Sequence, residues 1–288
     1  MAGSKEITGK IKSVENTRKV TSALEMVSAS KIRKSQDMMN ATRPYVRMML
    51  RIIGHLSKAN PEYRHPFTVE HKGEVSKIGY IVVSTDRGLC GGLNTNLFKK
   101  TLAHMGESKA GGAQVSVVTL GKKGSSFFRN IRVEIAAHAQ DLGENPQVEH
   151  LIGVIKTMLD AYRAQEVDAV YIAFNDFVNT MSQRPEVEQL LPLPPTDDEE
   201  IRDIWDYIYE PDAESLLDNV LVRYIEALVY QAVLENLASE HAARMIAMKN
   251  ATDNASELID ELTLAYNKAR QAAITQEISE IVGGAAAV

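Results

Sequence analysis

The sequence predicts an α/β head with a Rossmann-like, mainly parallel sheet, joined to a long antiparallel coiled coil formed by the N- and C-terminal helices. Good helix formers dominate both ends of the 288-residue chain. A seven-residue apolar repeat runs through the C-terminal stretch, and short apolar strands alternate with helix-like segments in between. We therefore expect an N-terminal coiled-coil helix over residues 1–58, the head over 75–210 and a C-terminal coiled-coil helix over 212–288.

The N-terminal segment predicts one helix from Ser4 to about Lys58. Glu6 and Lys10 stand four residues apart and support it as an ion pair on one helix face. Pro44 is its only proline and predicts a kink or a junction. The expected coiled-coil seam is weak and narrow, and it consists of Ile7, Ile11, Val14, Val20, Leu24 and Val27.

The C-terminal segment begins near Pro211 and contains no further proline. Its apolar stripe alternates spacings of four and three residues, through Leu234, Ala238, His241, Met245, Met248, Thr252, Ala255, Ile259, Leu262, Tyr266, Ala269 and Ala273. A repeat of seven favours a left-handed coiled coil over an ordinary globular helix, in which both terminal helices would simply pack along the head. After Ala273 the stripe shifts by one residue to Ile274, Ile278, Ile281 and Ala285, which predicts a single helix beyond the paired part.

The middle of the chain predicts a sheet whose strands alternate with helices. The predicted strands are Ile78–Val83, Val115–Leu120, Ile131–Ile135 and Ala169–Phe174, an antiparallel excursion over Pro185–Pro195, and a last strand over Ile204–Tyr209. The predicted helices between them run from Asn94 to Met105 and from Pro146 to Tyr162.

Composition excludes several classes of function. A net charge of -6 argues against general nucleic-acid binding, which needs a basic surface. One cysteine, Cys90, cannot form an internal disulfide, and the first residues lack the apolar run of a signal peptide. Since no apolar run approaches the roughly 18 residues needed to cross a bilayer, we expect a protein of the reducing cytoplasm that contacts a membrane only through a partner.

Two glycine-rich loops could hold a phosphate, because each follows a strand and opens a helix. Neither Asp86–Asn94 nor Gly121–Ser126 has the spacing of a dinucleotide or phosphate-binding loop, so we favour structural turns or protein contacts. His65 and His71 lie in a polar stretch and are expected to be solvated, without a metal site. We predict no catalytic residue, no cofactor and no metal, and an acidic protein partner for the basic N-terminal helix.

Four segments carry a resemblance that spans nearly the whole chain. They are the tail ITQEISEIVGGAAAV (Ile274–Val288), NTRKVTSALEMVSASKIRKSQ (Asn16–Gln36), STDRGLCGGLN (Ser84–Asn94) and SEHAARMIAMKNATDNA (Ser239–Ala255). Together they resemble the gamma subunits of bacterial F-type ATP synthases. The resemblance implies a non-catalytic central-stalk rotor that transmits rotation of a proton-driven c ring to the catalytic beta subunits, for ATP synthesis and for the reverse on hydrolysis.

The same resemblance implies partners and contact residues. The partners are the alpha and beta subunits, the epsilon subunit and the c ring, at the cytoplasmic face of the bacterial inner membrane. It assigns Leu24, Met26, Arg270 and Gln271 to beta-subunit contact, Arg244, Thr275 and Glu280 to the register of the two helices, and Asp86, Arg87, Gly88, Leu89, Cys90, Gly91, Gly92 and Tyr207 to contact with epsilon and the c ring. Two alternatives stay open at this point: a stand-alone coiled-coil adaptor and a small nucleotide-binding enzyme.

Overall fold

The computed structural model describes residues 2–59, 65–69, 76–193 and 213–285. The chain divides into two compact units, one of residues 1–29 with 244–288 and one of residues 30–243. Both long helices, α1 (Ala2–Ala59) and α5 (Ala213–Ala285), contribute to both units. The predicted fold class, a mainly parallel sheet with two long terminal helices, is confirmed. None of the described helices has an apolar window long enough to span a membrane.

The unit of residues 1–29 and 244–288 is called the two-helix unit below. In it, the seam of α5 follows the predicted repeat. Every repeat position from Met245 to Ala273 is buried or half-buried, and most residues between them are exposed. Beyond Ala273, all described side chains are exposed. The paired part of α5 therefore ends where the sequence pattern shifts.

The seam of α1 differs from the predicted one. Val20 and Val27 are 58% and 47% exposed, so their assignment to the seam was wrong. A spacing of four and three residues that starts at Ile7 reaches positions 18, 21, 25 and 28 instead, and those side chains are buried or half-buried. The seven-residue period of two paired helices decides which residues face the partner, even where the side chains at those positions are polar.

Small polar side chains fill the middle of this seam. Thr21 and Ser28 are only 8% and 3% exposed. The hydroxyls of Thr21 and Thr252 lie 2.7 Å apart and share a hydrogen bond across the two helices. Because these side chains are short, they let the helix backbones approach closely. The hydrogen bond also marks which residues stand opposite each other.

The second unit contains a five-stranded sheet in the order β3-β2-β1-β4-β5. Its strands are β1 (Lys77–Val83), β2 (Gln114–Leu120), β3 (Ile135–Ala139), β4 (Ala169–Asn179) and β5 (Ser182–Leu191). The first four are mutually parallel, and β5 pairs antiparallel with β4. The helices α2 (Leu93–Ala110), α3 (Lys122–Asn130) and α4 (Glu149–Arg163) connect the strands.

Two strand predictions need correction. The third strand was predicted over Ile131–Ile135, but β3 begins at Ile135 because Arg132 adopts a left-handed conformation, with φ of +56°, in the turn before it. The antiparallel strand begins at Ser182, ahead of Pro185. A proline fits there because β5 is an edge strand. The predicted strand Ile204–Tyr209 lies outside the described residues.

Apolar side chains cover both faces of the sheet. One cluster packs α4 and parts of α1 and α5 on one face, with Ile53, Leu56, Leu221 and Tyr162 among its buried members. The other packs residues of α2 and α3 around Tyr80. Residues 30–59 and 213–243 of the long helices thus belong to the sheet unit. The predicted boundaries 1–58, 75–210 and 212–288 were drawn at the ends of predicted helices and strands. The boundaries at 75, 210 and 212 lie outside the described residues.

Candidate functional site

The loop after β1 lies at the carboxyl edge of the parallel strands and is held by the side chain of Asn94. Its amide oxygen accepts a hydrogen bond from the Thr85 backbone N–H at 3.2 Å, and its amide nitrogen donates to the Thr85 hydroxyl at 2.7 Å and to the Cys90 sulfur at 3.5 Å. The Thr85 hydroxyl donates to the carbonyl of Arg87 at 2.6 Å. These bonds fix both ends of the loop to the first turn of α2.

Asp86 connects this loop to the loops that follow β2 and β3. Its carboxylate accepts backbone N–H hydrogen bonds from Lys122 at 3.0 Å, Asp141 at 3.2 Å and Leu142 at 3.1 Å. The Lys122 ammonium also pairs with the Asp141 carboxylate, which raises the pKa of that lysine. A carboxylate of the chain therefore occupies the N-terminus of α3, where an α/β sheet commonly holds a phosphate.

The first turn of α3 directs its other N–H groups to acceptors within the chain. The Lys123 N–H donates to the carbonyl of Thr85 at 3.0 Å, and the Gly124 N–H donates to the Ser84 hydroxyl at 2.8 Å. Gly121 has a φ of +98°, and a Cβ there would come within 2.2 Å of the Ser84 carbonyl oxygen. Glycine is required at this turn because two backbone segments meet, which explains the glycine without a bound anion.

The residues predicted to meet epsilon and the c ring differ in exposure. Leu89 is 64% exposed and has a left-handed φ of +64°, whereas Cys90 is 3% exposed. Arg87, Gly91 and Gly92 are exposed, and Asp86 and Gly88 are half-buried. Tyr207 lies outside the described residues. The structure therefore brings seven of these eight residues together in one loop.

An apolar groove of about 630 Å³ adjoins this loop. Leu89, Leu102 and the stacked rings of Phe98 and Phe127, with centroids 4.5 Å apart, contribute its apolar surface. Lys99 and Lys123 also line it. A groove of this composition suits the side chains of a protein partner better than it suits a nucleotide.

The four residues predicted to contact the beta subunit fall into two separate pairs on the two-helix unit. Leu24 is half-buried, Met26 is 69% exposed, and Arg270 and Gln271 are exposed. The register set by Thr21 and Thr252 places Leu24 opposite residue 249. At a rise of ~1.5 Å per residue, Arg270 lies about 30 Å along α5 from that level. The two pairs thus form distinct surfaces.

The three residues predicted to set the register are not brought together. Arg244 is half-buried at the beginning of the C-terminal part of the two-helix unit. Thr275 and Glu280 are exposed, and they form hydrogen bonds within their own helix: the Ser279 hydroxyl donates to the Thr275 carbonyl at 2.9 Å, and the Gln276 amide donates to the Glu280 carboxylate at 3.0 Å. In the register set by Thr21 and Thr252, α1 begins opposite residue 271 of α5. Thr275 and Glu280 therefore lie beyond the paired part.

A buried histidine cluster was missed by the sequence analysis. His65, expected to be solvated, is only 3% exposed. Its Nδ1 accepts the Phe67 backbone N–H at 3.1 Å, and its Nε2 lies 2.9 Å from the Asp218 carboxylate. Arg163 also pairs with Asp218, and its guanidinium lies 4.9 Å from the centre of the Phe67 ring. Burial lowers the pKa of His65, and the Asp218 carboxylate partly offsets this.

The cluster has a structural role. It attaches residues 65–69 to α4 and α5, and Phe67 is fully buried. No sequence motif could have indicated it, because Asp218 lies 153 residues away from His65. Among the described residues, no group of three histidine, cysteine or acidic side chains could hold a metal ion.

Comparisons with known proteins agree along the whole chain. A profile of the ATP synthase family matches residues 3–288. The ATP synthase gamma chain of Xylella fastidiosa strain M23 is 61% identical over 288 residues, and that of Xanthomonas campestris pv. campestris strain B100 is 59% identical; both alignments cover 100% of each chain.

Solved structures give the same result for the fold. A chain of the Euglena gracilis mitochondrial ATP synthase, in the OSCP/F1/c-ring structure of rotational state 3, matches with a TM-score of 0.68 at 18% identity, covering 99% of this chain and 94% of that one. A chain of the central stalk and c ring of the Tetrahymena thermophila enzyme matches with a TM-score of 0.59 at 21% identity, covering 81% and 99%. At these identities the similarity extends to the fold alone.

Proposed function

The chain belongs to the family of ATP synthase gamma chains, and from this premise we propose that it is the central-stalk rotor of a proton-translocating F-type enzyme. In this role it transmits rotation of the c ring to the catalytic beta subunits during ATP synthesis, and the reverse during hydrolysis. The observation that carries the proposal is the exposed apolar end of α5, which continues as a single helix beyond its paired part.

Four large apolar side chains are exposed along that end. Ile274, Ile278, Ile281 and Val282 are 47%, 56%, 71% and 62% exposed. Exposed apolar patches of this kind mark sites of protein contact. We propose that the alpha and beta subunits enclose this end as a bearing, in which the helix turns while remaining shielded from water.

The carboxyl edge of the sheet supports a non-catalytic role for the chain. The Asp86 carboxylate and neighbouring acceptors already take the N–H groups that would otherwise face a phosphate. A small nucleotide-binding enzyme, one of the two alternatives, would need those donors for its ligand. The chain thus supplies mechanical coupling, and the chemistry belongs to the beta subunits.

We assign the remaining contacts by the surfaces they occupy. Leu24, Met26, Arg270 and Gln271 face the beta subunits, and the loop of Asp86–Gly92 with its groove faces the epsilon subunit and the c ring. Arg244 belongs to the register of the two helices, whereas Thr275 and Glu280 lie on the single helix beyond the paired part. We propose that the chain lies at the cytoplasmic face of the bacterial inner membrane, as a peripheral subunit whose membrane contact runs through the c ring.

Purification of the intact complex through a tag on another subunit tests this proposal. We expect the chain to co-purify with alpha, beta, epsilon and c subunits, and a probe attached to it to rotate when ATP is added. Purification of the chain without alpha and beta subunits would support the other alternative, a stand-alone coiled-coil adaptor. Tight binding of ATP, ADP or NAD to the isolated chain, measured by titration calorimetry, would support the enzyme.

A further inference from the structure

The part of α1 that lies on the sheet unit carries a row of arginines. Arg43, Arg47 and Arg51 are spaced by four residues and are exposed, and no aspartate or glutamate occurs from Met38 to Ala59. Residues four apart lie on the same helix face at about 5–6 Å. We call these three residues the arginine ladder. Met48, 56% exposed, stands three residues before Arg51 and borders the ladder.

The arginine ladder is poorly compensated within the described part of the chain. Arg43 lies 4.0 Å from Glu235, a carboxylate whose side chain is only 13% exposed, and Glu235 already accepts a hydrogen bond from Gln231 at 2.8 Å. Among the described residues, neither Arg47 nor Arg51 has a carboxylate within ion-pair distance. Like charges spaced by four residues destabilise a helix. Elsewhere Lys31 pairs with Glu144 and Arg163 with Asp218.

We propose that the arginine ladder, with Met48 at its edge, is a docking surface for an acidic segment of another subunit of the complex. The matching segment has carboxylates spaced to meet Arg47 and Arg51, and an apolar side chain that covers Met48. Arginine suits this task because its planar guanidinium binds a carboxylate through two hydrogen bonds.

Charge and size favour a protein partner over a lipid surface. The chain has a net charge of -6 and is repelled as a whole by an anionic bilayer. The arginine ladder extends only about 12 Å along the helix, and one exposed apolar side chain, Met48, borders it. That area matches one or two turns of a partner segment.

Photo-crosslinking in the purified, membrane-bound complex identifies the partner. A photoreactive residue replaces Met48, and the same residue replaces Lys156, which is exposed on α4, as the control. We expect Met48 to crosslink to an acidic segment of another subunit, and Lys156 not to reach that segment. A crosslink to lipid, to the chain's own acidic run Asp197–Glu200, or to a segment without carboxylates overturns the proposal.

Charge reversal tests the energetic role of the arginines. The variant R47E/R51E should lower the yield of that crosslink about tenfold, while the control K109E/K156E, with the same change in net charge, should leave it unchanged. Circular dichroism of both purified chains checks that each is folded. An unchanged yield in R47E/R51E, or an equal loss in both variants, overturns the proposal. The proposal assumes membership of the complex, so purification without other subunits would contradict the proposed function rather than the docking surface.

Discussion

Asp86 illustrates how one side chain organises the candidate site. Replacing Asp86 by alanine leaves the N–H groups of Lys122, Asp141 and Leu142 without the acceptor that they share. An unsatisfied polar group costs about 1–3 kcal/mol when it is buried, and these groups are partly solvated. We therefore expect the variant to lose about 1–2 kcal/mol of unfolding free energy, measured by urea unfolding. Asp86→Asn retains one acceptor oxygen and should lose less; an equal loss would contradict this account.

The His65 cluster predicts a pH dependence of stability. Burial lowers the pKa of His65 below its ordinary value of 6.5. As the pH falls below about 6.5, the unfolded chain therefore takes up the proton first, and the folded state loses stability. Stability is full above that pH and declines toward pH 5. Asp218 and Arg163 are charged groups beside His65, so the effect should depend on this cluster.

The measurement compares wild type with His65→Gln by urea unfolding between pH 7.5 and 5.5. We expect the midpoint of the wild type to fall more steeply with decreasing pH than that of the variant. His150→Gln, at an exposed position on α4, is the control and should keep the wild-type slope. The account is wrong if His65→Gln keeps that slope as well.

Individual contact residues were predictable from the sequence only where a local pattern defined them. The loop from Asp86 to Gly92 could be placed because it follows one apolar strand and precedes a helix. Its bonds to Asp141 and Leu142 could not be predicted, since they join residues 55 and 56 positions apart. The burial of His65 was missed for the same reason: its partner Asp218 comes from a distant helix.

At the scale of the helix pair, the sequence predicted one seam better than the other. The repeat in α5 contains mostly apolar residues, so its period was visible. In α1 the buried positions include Thr21 and Ser28, while the apolar Val20 and Val27 face outward. A prediction that selects apolar residues fails where a coiled coil uses small polar ones at its seam.

The pair Thr21 and Thr252 is expected to specify register more than stability. Their shared hydrogen bond lies at the seam, where a polar pair fixes alignment at some cost in stability. Replacing both threonines by valine removes donor and acceptor together, which is close to neutral. We expect the double variant to change unfolding free energy by less than about 1 kcal/mol and to allow helix slippage. Thr17→Val, exposed on the same helix, controls for helix propensity.

Disulfide trapping measures that slippage in a chain with Cys90→Ser. The observed register places residue 11 opposite residue 262, so Ile11→Cys with Leu262→Cys should crosslink. Arg18→Cys with Leu262→Cys is shifted by one heptad and should crosslink only if the helices slip. We expect the shifted pair to form in the Thr21→Val, Thr252→Val background and not with both threonines present. If the shifted crosslink does not form in that background, contacts other than this threonine pair set the register.

At the scale of the whole molecule, the two long helices serve two purposes along their length. Residues 30–56 and 215–243 bury apolar side chains against one face of the sheet, and residues 5–29 and 244–273 pack against each other. The sequence predicted the elements of both units, because the periods of strand and helix are local. It did not predict where the compact units divide the helices, because that depends on which residues the sheet covers.

The free end of α5 gives the prediction that separates folding from function. Deleting residues 274–288 removes the end of α5, whose described side chains make no seam contact, so unfolding free energy should change by less than about 0.5 kcal/mol. Deleting residues 262–288 also removes Leu262, Tyr266, Ala269 and Ala273 from the seam, and the two-helix unit should then be less stable. Thermal unfolding followed by circular dichroism compares the two truncations.

The function of that end is measured as the ratio of ATP-driven proton pumping to ATP hydrolysis in inverted vesicles. Because a rotor needs a bearing to transmit torque without wobble, deletion of residues 274–288 should lower this ratio or impair assembly of the complex. Replacing Ile274, Ile278 and Ile281 by serine keeps the length of the helix and removes only its apolar stripe. If the stripe is the bearing surface, this variant should resemble the deletion. If the ratio of proton pumping to ATP hydrolysis is normal in both the deletion and the serine variant, the paired helices alone carry the coupling.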